Sequence, residues 1–186
     1  MGSAESGHDY QTVKISKLLA VNGPIVVQRK LTFFEVIEFW LRSCFLIRFG
    51  NEAWRERLLG AFGEKVAARF VERCGVTILR RNWKSWRGEI DLIGLDCGEL
   101  IMLEVKTRFN NQQTKDFYPS DKVDWRKRRK LRQLADVFLK SPLSQRLLGE
   151  QRWELPIRFD IAGVKIAAKS VIIEYMAAAF ADTDFY

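Results

Sequence analysis

Two neighbouring apolar segments carry the residues whose types and spacing could do chemistry. Asp91 lies in the first segment, and Glu104 and Lys106 lie in the second. The intervening Cys97-Gly98 pair is typical of a two-residue hairpin turn, which would place Asp91 opposite Glu104. Two carboxylates that converge from paired strands, with a lysine two residues beyond one of them, suit a hard divalent cation and a phosphate oxygen. The chemistry that this pattern predicts is phosphodiester hydrolysis.

The same register brings a fourth charged side chain to the group. Glu89 would lie opposite Lys106, so all four side chains would share one face of the sheet. Directly opposed residues hold their Cβ atoms about 4.5–5.5 Å apart, and like charges at that separation destabilise a sheet. A bound cation would remove the repulsion between Asp91 and Glu104, which favours a metal site.

The scarcity of histidine excludes several classes of enzyme. His8 is the single histidine and lies in a polar N-terminal tail, where an ordered active site is not expected. Histidine-dependent nucleases, Ser-His-Asp hydrolases and HExxH metalloproteases would lack their imidazole. The sequence also has no GxxxxGK[ST] phosphate-binding loop, and its three cysteines form no CxxC pair. Carboxylates and lysine remain as catalytic groups, and a reducing cytoplasmic compartment is expected.

The charge of the chain favours a polyanionic partner. Its 186 residues include 31 Lys and Arg against 23 Asp and Glu, which gives a net charge of +8 at pH 7. Nucleic acid is the first candidate and an acidic membrane surface the second. With 47% hydrophobic residues, the chain is long enough for one well-packed domain and an accessory segment.

Two predicted helices supply further candidates for the site. In the first helix, residues 61–74, Glu64 lies at the edge of the apolar face, either as an active-site carboxylate or as a glutamate favoured by the helix dipole. In the second, Lys127 lies on the apolar face with Leu134 and Phe138. It either reaches the metal cleft or the scissile phosphate, or packs its stem and extends its ammonium to the rim. The candidate DNA contacts of this basic helix are Arg126, Arg128, Arg129 and Lys130.

Basic and aromatic residues alternate between Arg80 and Arg87, in a stretch that would form a three-stranded meander with the hairpin. Trp83 and Trp86 would either stack on bases, while their basic neighbours contact phosphates, or be buried in a solvated edge strand. Asn82 would order this stretch or bond the active-site backbone. The candidate DNA contacts of this region are Arg80, Arg81, Trp83, Lys84 and Arg87, together with Arg108 beyond the hairpin.

The two ends of the chain have other predicted roles. Residues 1–56 form an N-terminal extension to the domain 57–186, and its nearly apolar helix 33–49 docks on that domain, contacts a second copy of the chain, or lies on a membrane surface. The helix is too short and too charged for the roughly 20 apolar residues that a membrane span needs. Near the C-terminus, two strands are predicted, with Arg158 and Asp160 as a structural ion pair. The segment 176–180 is expected to be a short helical or docking segment.

Six segments in order, namely 63–70, 78–83, 88–93, 103–108, 123–131 and 158–160, carry a family resemblance. The sequence resembles the YraN family of predicted endonucleases, relatives of archaeal Holliday-junction resolvases in the PD-(D/E)XK nuclease superfamily. The resemblance covers roughly residues 58–180. It implies an α/β, restriction-endonuclease-like core with a mixed central β-sheet flanked by helices, a site for Mg²⁺ or Mn²⁺, and cleavage of DNA.

The resemblance also implies roles for individual residues. Asp91 and Glu104 become metal ligands, Lys106 lies next to the attacking water, and Glu64 is the helical acidic residue. Glu89 belongs to the same family segment. The expected enzyme is structure-specific, acts on branched or single-stranded DNA in recombination or repair, and would need to be a homodimer to resolve a symmetric junction. The alternative is a catalytically weak or inactive DNA-binding scaffold.

The chain departs from the family pattern in two places. Its hydrophobic N-terminal region has no counterpart there, and Tyr175 stands where these proteins often carry histidine.

Overall fold

A mixed β-sheet with helices on both faces organises the described part of the chain, which comprises residues 26–30, 52–109, 125–167 and 170–180 of a computed structural model. The strands are β1 (Val26–Lys30), β2 (Thr77–Ser85), β3 (Gly88–Asp96), β4 (Glu99–Phe109), β5 (Ile157–Ala167) and β6 (Ser170–Phe180). The helices are α1 (Glu52–Arg73), α2 (Trp125–Leu139) and α3 (Pro142–Leu148), and the last is followed by a 3-10 turn, Gly149–Trp153.

The sheet order is β1-β6-β5-β4-β3-β2, and β4 and β5 form its parallel pair. Strands β2, β3 and β4 form the predicted antiparallel meander. The chain then returns through α2 and α3 to β5, because two parallel neighbours need a crossover connection. The predicted α/β core with a mixed sheet and flanking helices is confirmed.

Alternation along β4 divides the core between the two faces of the sheet. Ile101 and Leu103 pack in the cluster under α1, whereas Leu100 and Met102 pack in the cluster under α2. Side chains alternate in this way because successive residues of a strand point to opposite faces. The next residue after Leu103 is Glu104, so the alternation assigns it to the α2 face.

The β3–β4 hairpin has the predicted register, but over part of its length only. Its turn residues Cys97 and Gly98 have φ values of 49° and 86°, as a two-residue turn of type I′ requires. Pairing runs from Asp96–Glu99 to Leu92–Leu103 and stops there. The predicted direct pairing of the next two residues, Asp91 and Glu104, is therefore absent from the ladder, because the two strands separate at that point.

A buried polar network ties the hairpin turn to the C-terminal strands. The Arg158 guanidinium contacts Asp160 at 3.0 Å, Asp96 at 3.1 Å and Glu99 at 2.5 Å. Asp160 also accepts hydrogen bonds from the Tyr175 hydroxyl and the backbone N–H of Ala178. The predicted structural ion pair is confirmed, and Tyr175 has a defined role as a donor to its buried carboxylate.

Several predicted boundaries change. Helix α1 begins at Glu52 rather than at residue 61, so the proposed division between residues 56 and 57 falls inside it. Strand β1, from the N-terminal extension, pairs with β6. Residues 176–180 continue β6, so the prediction of a helical segment there was wrong.

The predicted helix 33–49 lies outside the described residues. Within the described ranges, no helix combines the length and the apolar character needed to cross a membrane.

Candidate active site

The gap between β3 and β4 holds the first carboxylate of the site. Oδ2 of Asp91 accepts a hydrogen bond of 2.7 Å from the backbone N–H of Val105. The β3–β4 ladder has ended at this point, so the Val105 N–H group has no backbone partner across the hairpin. The Asp91 side chain accepts its hydrogen bond instead, because a buried N–H group needs an acceptor. Asp91 is fixed beside Glu104, the residue before Val105.

Strands β2 and β3 both change face at this level. Trp83 and its partner Ile90 pack under α2, whereas Leu92, the partner of Arg81, packs under α1. Residues two apart in a regular strand share a face, so one irregular step must intervene in each strand. In β2 that step is Asn82, whose φ of 50° lies in the left-handed region that asparagine tolerates better than most residues.

Asn82 also links the hairpin to α1. The flanking pairs Arg81–Leu92 and Trp83–Ile90 place it across from Asp91. Its side chain acts on Glu64 of α1 and lowers the pKa of that carboxyl group. Asn82 thus interacts with a carboxylate of the site. Its two predicted roles, ordering the stretch 80–87 or bonding the active-site backbone, stay predictions.

Glu104 is the most buried carboxylate of the group, at 3% exposure. Its Oε1 atom lies 2.8 Å from Nζ of Lys106 and 2.7 Å from Nζ of Lys127. Alternation along β4 places Glu104 and Lys106 on the same face, and α2 covers that face. Lys127 therefore reaches an anionic group in the cleft, the first of its two predicted alternatives.

Close packing of α1 on β4 positions Glu64. A Cβ atom added at Gly63 would overlap the side chain of Thr107, with Thr107 Cβ only 2.9 Å away. Only a glycine lets the helix approach this strand so closely, and the next residue, Glu64, lines the cleft. Gly63 was not among the predicted site residues, although a glycine inside a helix costs about 1 kcal/mol relative to alanine and often has a packing reason.

The acidic residues perturb one another. Burial, and then the charge of Glu104, raise the pKa of Asp91 to about 7, although the Val105 N–H opposes the shift. Burial likewise raises the pKa of Glu64, the hydrogen bond from Asn82 opposes this rise, and the nearby carboxylates add to it. Clustered, partly desolvated carboxylates with raised pKa values are typical of sites that bind cations or transfer protons.

The pKa of Lys106 is raised as well, but for an ammonium group a raised pKa favours the charged form. Burial lowers its pKa, but the hydrogen bond to Glu104 and the charges of Glu104 and Asp91 outweigh burial and leave the pKa above its ordinary value. The ammonium group is therefore charged at neutral pH. In this arrangement it can donate hydrogen bonds and stabilise negative charge, but it cannot accept a proton.

These side chains line one open cleft of about 850 Å³. The buried Glu104 and the half-buried Asp91 lie at its floor, and exposed cations lie around it. An anionic ester could thus contact the cations around the cleft. The charged lining residues are Glu56, Glu64, Lys84, Glu89, Asp91, Glu104, Lys106, Arg108, Lys127 and Lys130.

The donor set fits a hard divalent cation. Within the described ranges, no three His, Cys, Asp or Glu residues come together as a metal-binding group. Asp91 and Glu104 nevertheless supply the one or two carboxylates through which Mg²⁺ is usually held alongside water and substrate phosphate. Burial and then the charge of Glu104 raise the pKa of Asp91, and such an ion would offset both effects by stabilising the ionised carboxylate.

The predicted DNA contacts of β2 divide into different environments. Trp83 is 7% exposed and makes an edge contact with Phe138, so the prediction that it stacks on bases was wrong. Trp86 is 79% exposed, and the Arg87 guanidinium lies 4.2 Å from its ring centroid. Arg81 pairs with a glutamate of α1 at 2.9 Å, on the face away from α2.

The remaining predicted contacts are spread around the cleft. Lys84 lies 3.7 Å from Glu89, and both are exposed on the cleft lining. Arg108 and Lys130 also line the cleft. Arg80, Arg126 and Arg129 are exposed, whereas Arg128 is half-buried and lies over the Phe180 ring.

The sequence matches a family of proteins across this site. Residues 63–164 match the family described as "Uncharacterised protein family UPF0102". The chain is 34% identical to a UPF0102 protein of Alkaliphilus oremlandii over 122 residues, which cover 66% of this chain and 97% of the relative. It is also 34% identical to one from Acidothermus cellulolyticus over 134 residues, 70% of this chain and 98% of that protein. These names state no activity.

Proposed function

The chain belongs to the uncharacterised protein family UPF0102, the YraN family, and we propose that it is a metal-dependent endonuclease that hydrolyses phosphodiester bonds in DNA. One observation carries this proposal: Asp91 and Glu104 converge in a cleft whose lining also holds five lysine and arginine side chains. Carboxylates at the floor suit a divalent metal, and the surrounding lysines suit the phosphates of the substrate.

In the proposed reaction, Asp91 and Glu104 would hold Mg²⁺ or Mn²⁺. When bound, the ion supplies Lewis-acid stabilisation of the phosphate oxygens and activation of water. The hydrogen bond from Val105 fixes Asp91 before the ion arrives, which reduces the reorganisation that binding requires.

Lys106 and Lys127 would act on the substrate. Both ammonium groups contact Oε1 of Glu104, the carboxylate that would bind the ion. From that position Lys106 can orient the attacking water and donate to a phosphate oxygen as negative charge develops on it. In the metal-free site Glu104 and Asp91 raise its pKa, so the ammonium is charged there, and orientation and charge stabilisation are the roles that we assign to it.

Glu64 and Glu89 would complete the acidic side of the cleft. Glu64 is oriented by Asn82 and raises the pKa of Asp91, so its charge is felt at the proposed metal site. It could position the metal-bound water or contribute to a second ion. Glu89 lies further out, beside Lys84, where it can modulate the charge of the rim.

DNA would be held chiefly through its backbone. The rim residues Lys84, Arg108 and Lys130, with exposed arginines of α2, provide contacts to phosphates that do not identify bases. Affinity should therefore fall steeply with salt concentration. Selectivity would come from the shape of the DNA, in keeping with a structure-specific enzyme of recombination or repair.

The test is cleavage of labelled single-stranded, duplex, flap and four-way-junction DNA with Mg²⁺ or Mn²⁺, with EDTA as the metal-free control. The variants are Asp91→Asn and Lys106→Ala, and Glu154→Gln, an exposed carboxylate outside the cleft lining, is the control. We expect cleavage that requires metal, falls about 100-fold or more in the two site variants and is unchanged in the control.

Binding without cleavage, across all substrates and both metals, would contradict the proposal and support the DNA-binding scaffold instead. Wild-type cleavage by Asp91→Asn would contradict the assignment of the site.

A further inference from the structure

A second concave surface adjoins the active-site cleft. It has a volume of about 790 Å³ and lies between the β2–β3 turn and helices α2 and α3. Lys84 and Ser85 line both this groove and the cleft, so a polymer bound at the floor of the cleft can continue into the groove. We call this surface the Trp86 groove.

Hydrogen bonds fix the turn at the edge of this groove. The Ser85 hydroxyl donates to the backbone oxygen of Gly88 at 3.3 Å and accepts from the backbone N–H of Arg87 at 3.2 Å. The Arg87 guanidinium in turn donates to the Gln133 side chain of α2 at 3.2 Å. Trp86 therefore stands on a braced turn rather than on a free loop tip.

Trp86 has an exposed indole ring, and a neighbouring guanidinium group covers one of its two faces. It is 79% exposed, and the neighbouring Arg87 guanidinium lies 4.2 Å from its ring centroid. The guanidinium covers one face by a cation–π contact, which leaves the other available to a planar ligand. Nucleic-acid bases are such ligands, because every base presents a π-face to an aromatic side chain.

The charges of the groove suit a phosphodiester backbone. Lys84, Arg87 and Lys140 line it together with a single acidic residue, Asp136. The excess of cations would attract phosphates while the indole holds a base, the combination that characterises single-strand binding surfaces.

We propose that Trp86 is a stacking platform for an unpaired base of the DNA substrate, within a few nucleotides of the phosphate that is cleaved. This inference rests on the proposed nuclease function and narrows its substrate to DNA with a single-stranded segment at the cleavage site. Bases inside a continuous duplex are stacked on their neighbours and cannot present a face to the indole without unstacking.

Chain geometry limits how far this base lies from the scissile phosphate. Asp91 lies five positions beyond Trp86 in the chain, and an extended chain spans at most about 3.6 Å per residue, so their Cα atoms lie at most about 18 Å apart. At a rise of about 3.4 Å per nucleotide of a stacked strand, that distance corresponds to no more than about five nucleotides.

An abasic scan tests the platform. Single abasic nucleotides are placed one at a time on both sides of the cleavage site in a flap substrate, and binding is measured with EDTA so that no cleavage occurs. For the wild-type protein, we expect one position within about five nucleotides of the site to weaken binding roughly 5- to 100-fold, the range typical of one base–aromatic stack.

Three variants make the result specific. In Trp86→Ala the penalty for that abasic position should disappear, because the stack is already lost, while Trp86→Phe should retain part of it. Trp153→Ala is the matched control, since Trp153 is 52% exposed with Arg152 4.8 Å from its ring centroid but does not line the groove.

The outcomes separate the two proposals. A wild-type protein that cleaves DNA but shows the same abasic profile as Trp86→Ala would overturn the stacking platform and leave the nuclease intact. A loss of affinity in Trp86→Ala that is equal for duplex and flap DNA would also overturn it. A wild-type protein that binds none of the DNA substrates would overturn both.

Discussion

At the scale of single residues, two carboxylates with different hydrogen-bond and charge partners define the candidate site. Asp91 is held by a backbone N–H and has a pKa raised to about 7, whereas Glu104 is neutralised by two ammonium groups. Burial removes water from both carboxylates, so the ionised form of either one would be high in free energy without these partners. Their environments differ enough that substitutions and pH should affect them differently.

Metal binding should depend on pH through Asp91. Its pKa rises from 3.8 to about 7, so the folded, metal-free protein keeps a proton on this group that the unfolded chain releases. Ionising Asp91 therefore costs stability as the pH rises through this window, and a cation that binds the ionised form restores it. We expect thermal stabilisation by Mg²⁺ to be small below pH 7 and larger above it.

Thermal denaturation with and without Mg²⁺ at a series of pH values measures this dependence. Asp91→Asn should lose most of the metal effect at every pH. A metal-dependent shift that is equal at acidic and alkaline pH would contradict this role for Asp91.

Lys127→Ala should lower cleavage about 10- to 100-fold, because it removes an ammonium group that lies 2.7 Å from Glu104 in the cleft. Its effect on stability should be small, since its side chain is 34% exposed. Single-turnover cleavage at saturating DNA, together with a binding assay, separates the chemical step from affinity. Arg126→Ala, an exposed neighbour on α2, should reduce affinity slightly and leave the cleavage rate unchanged.

Close contact of α1 with β4 decides the geometry at the scale of elements. The helix touches the strand at Gly63 and Thr107, one residue before Glu64 and one after Lys106. Asn82 of β2 also acts on Glu64 of the same helix, whose pKa it lowers. The active site therefore depends on the packing distance of one helix.

Gly63→Ala should reduce activity by displacing α1. The added methyl group has no room beside Thr107, and overpacking typically costs about 1–3 kcal/mol, which offsets the roughly 1 kcal/mol gain in helix propensity. Gly60→Ala is the matched control on the same helix, because no atom lies within 4 Å of its added Cβ. It should stabilise the protein by up to about 1 kcal/mol.

Chemical denaturation and the cleavage assay together distinguish the two variants. Equal stability and equal activity of Gly63→Ala and Gly60→Ala would show that α1 does not need this close approach.

At the scale of the whole molecule, the Arg158 network joins elements that are distant in the sequence. It links the β3–β4 turn at Asp96 and Glu99 to β5 and, through Asp160 and Tyr175, to β6. The parallel β4–β5 pair runs directly from this network toward the cleft, with Glu104 aligned to Ile161. The network should therefore stabilise the sheet that positions the β3–β4 hairpin and its candidate site residues.

Arg158→Ala should destabilise the fold by about 3–5 kcal/mol, because it leaves the buried Asp96 and Asp160 carboxylates without their cation. Arg81→Ala is the control, since its ion pair with Glu72 is of similar length, 2.9 Å, but both side chains are 45% exposed. That substitution should cost no more than about 1 kcal/mol. Similar unfolding free energies for the two variants would contradict a stabilising network.

The amino-acid sequence by itself determined the local features of this protein. The Cys97-Gly98 turn followed from the preference of two-residue hairpins for positive φ, and that turn fixed which carboxylates approach each other. Helical periodicity likewise placed Lys127 toward the sheet, where it contacts Glu104. These features depend on residues close together in the chain, so sequence patterns report them.

Only the tertiary structure decided where the local patterns stop. The separation of β3 and β4 at Asp91, the change of face at Asn82 and the close approach at Gly63 each depend on elements that meet after folding. The same holds for Trp83 and Trp86, which are close in the sequence but lie in the core and in solvent respectively. A sequence pattern specifies the preference of one element, whereas packing between elements selects which side chains reach the cleft.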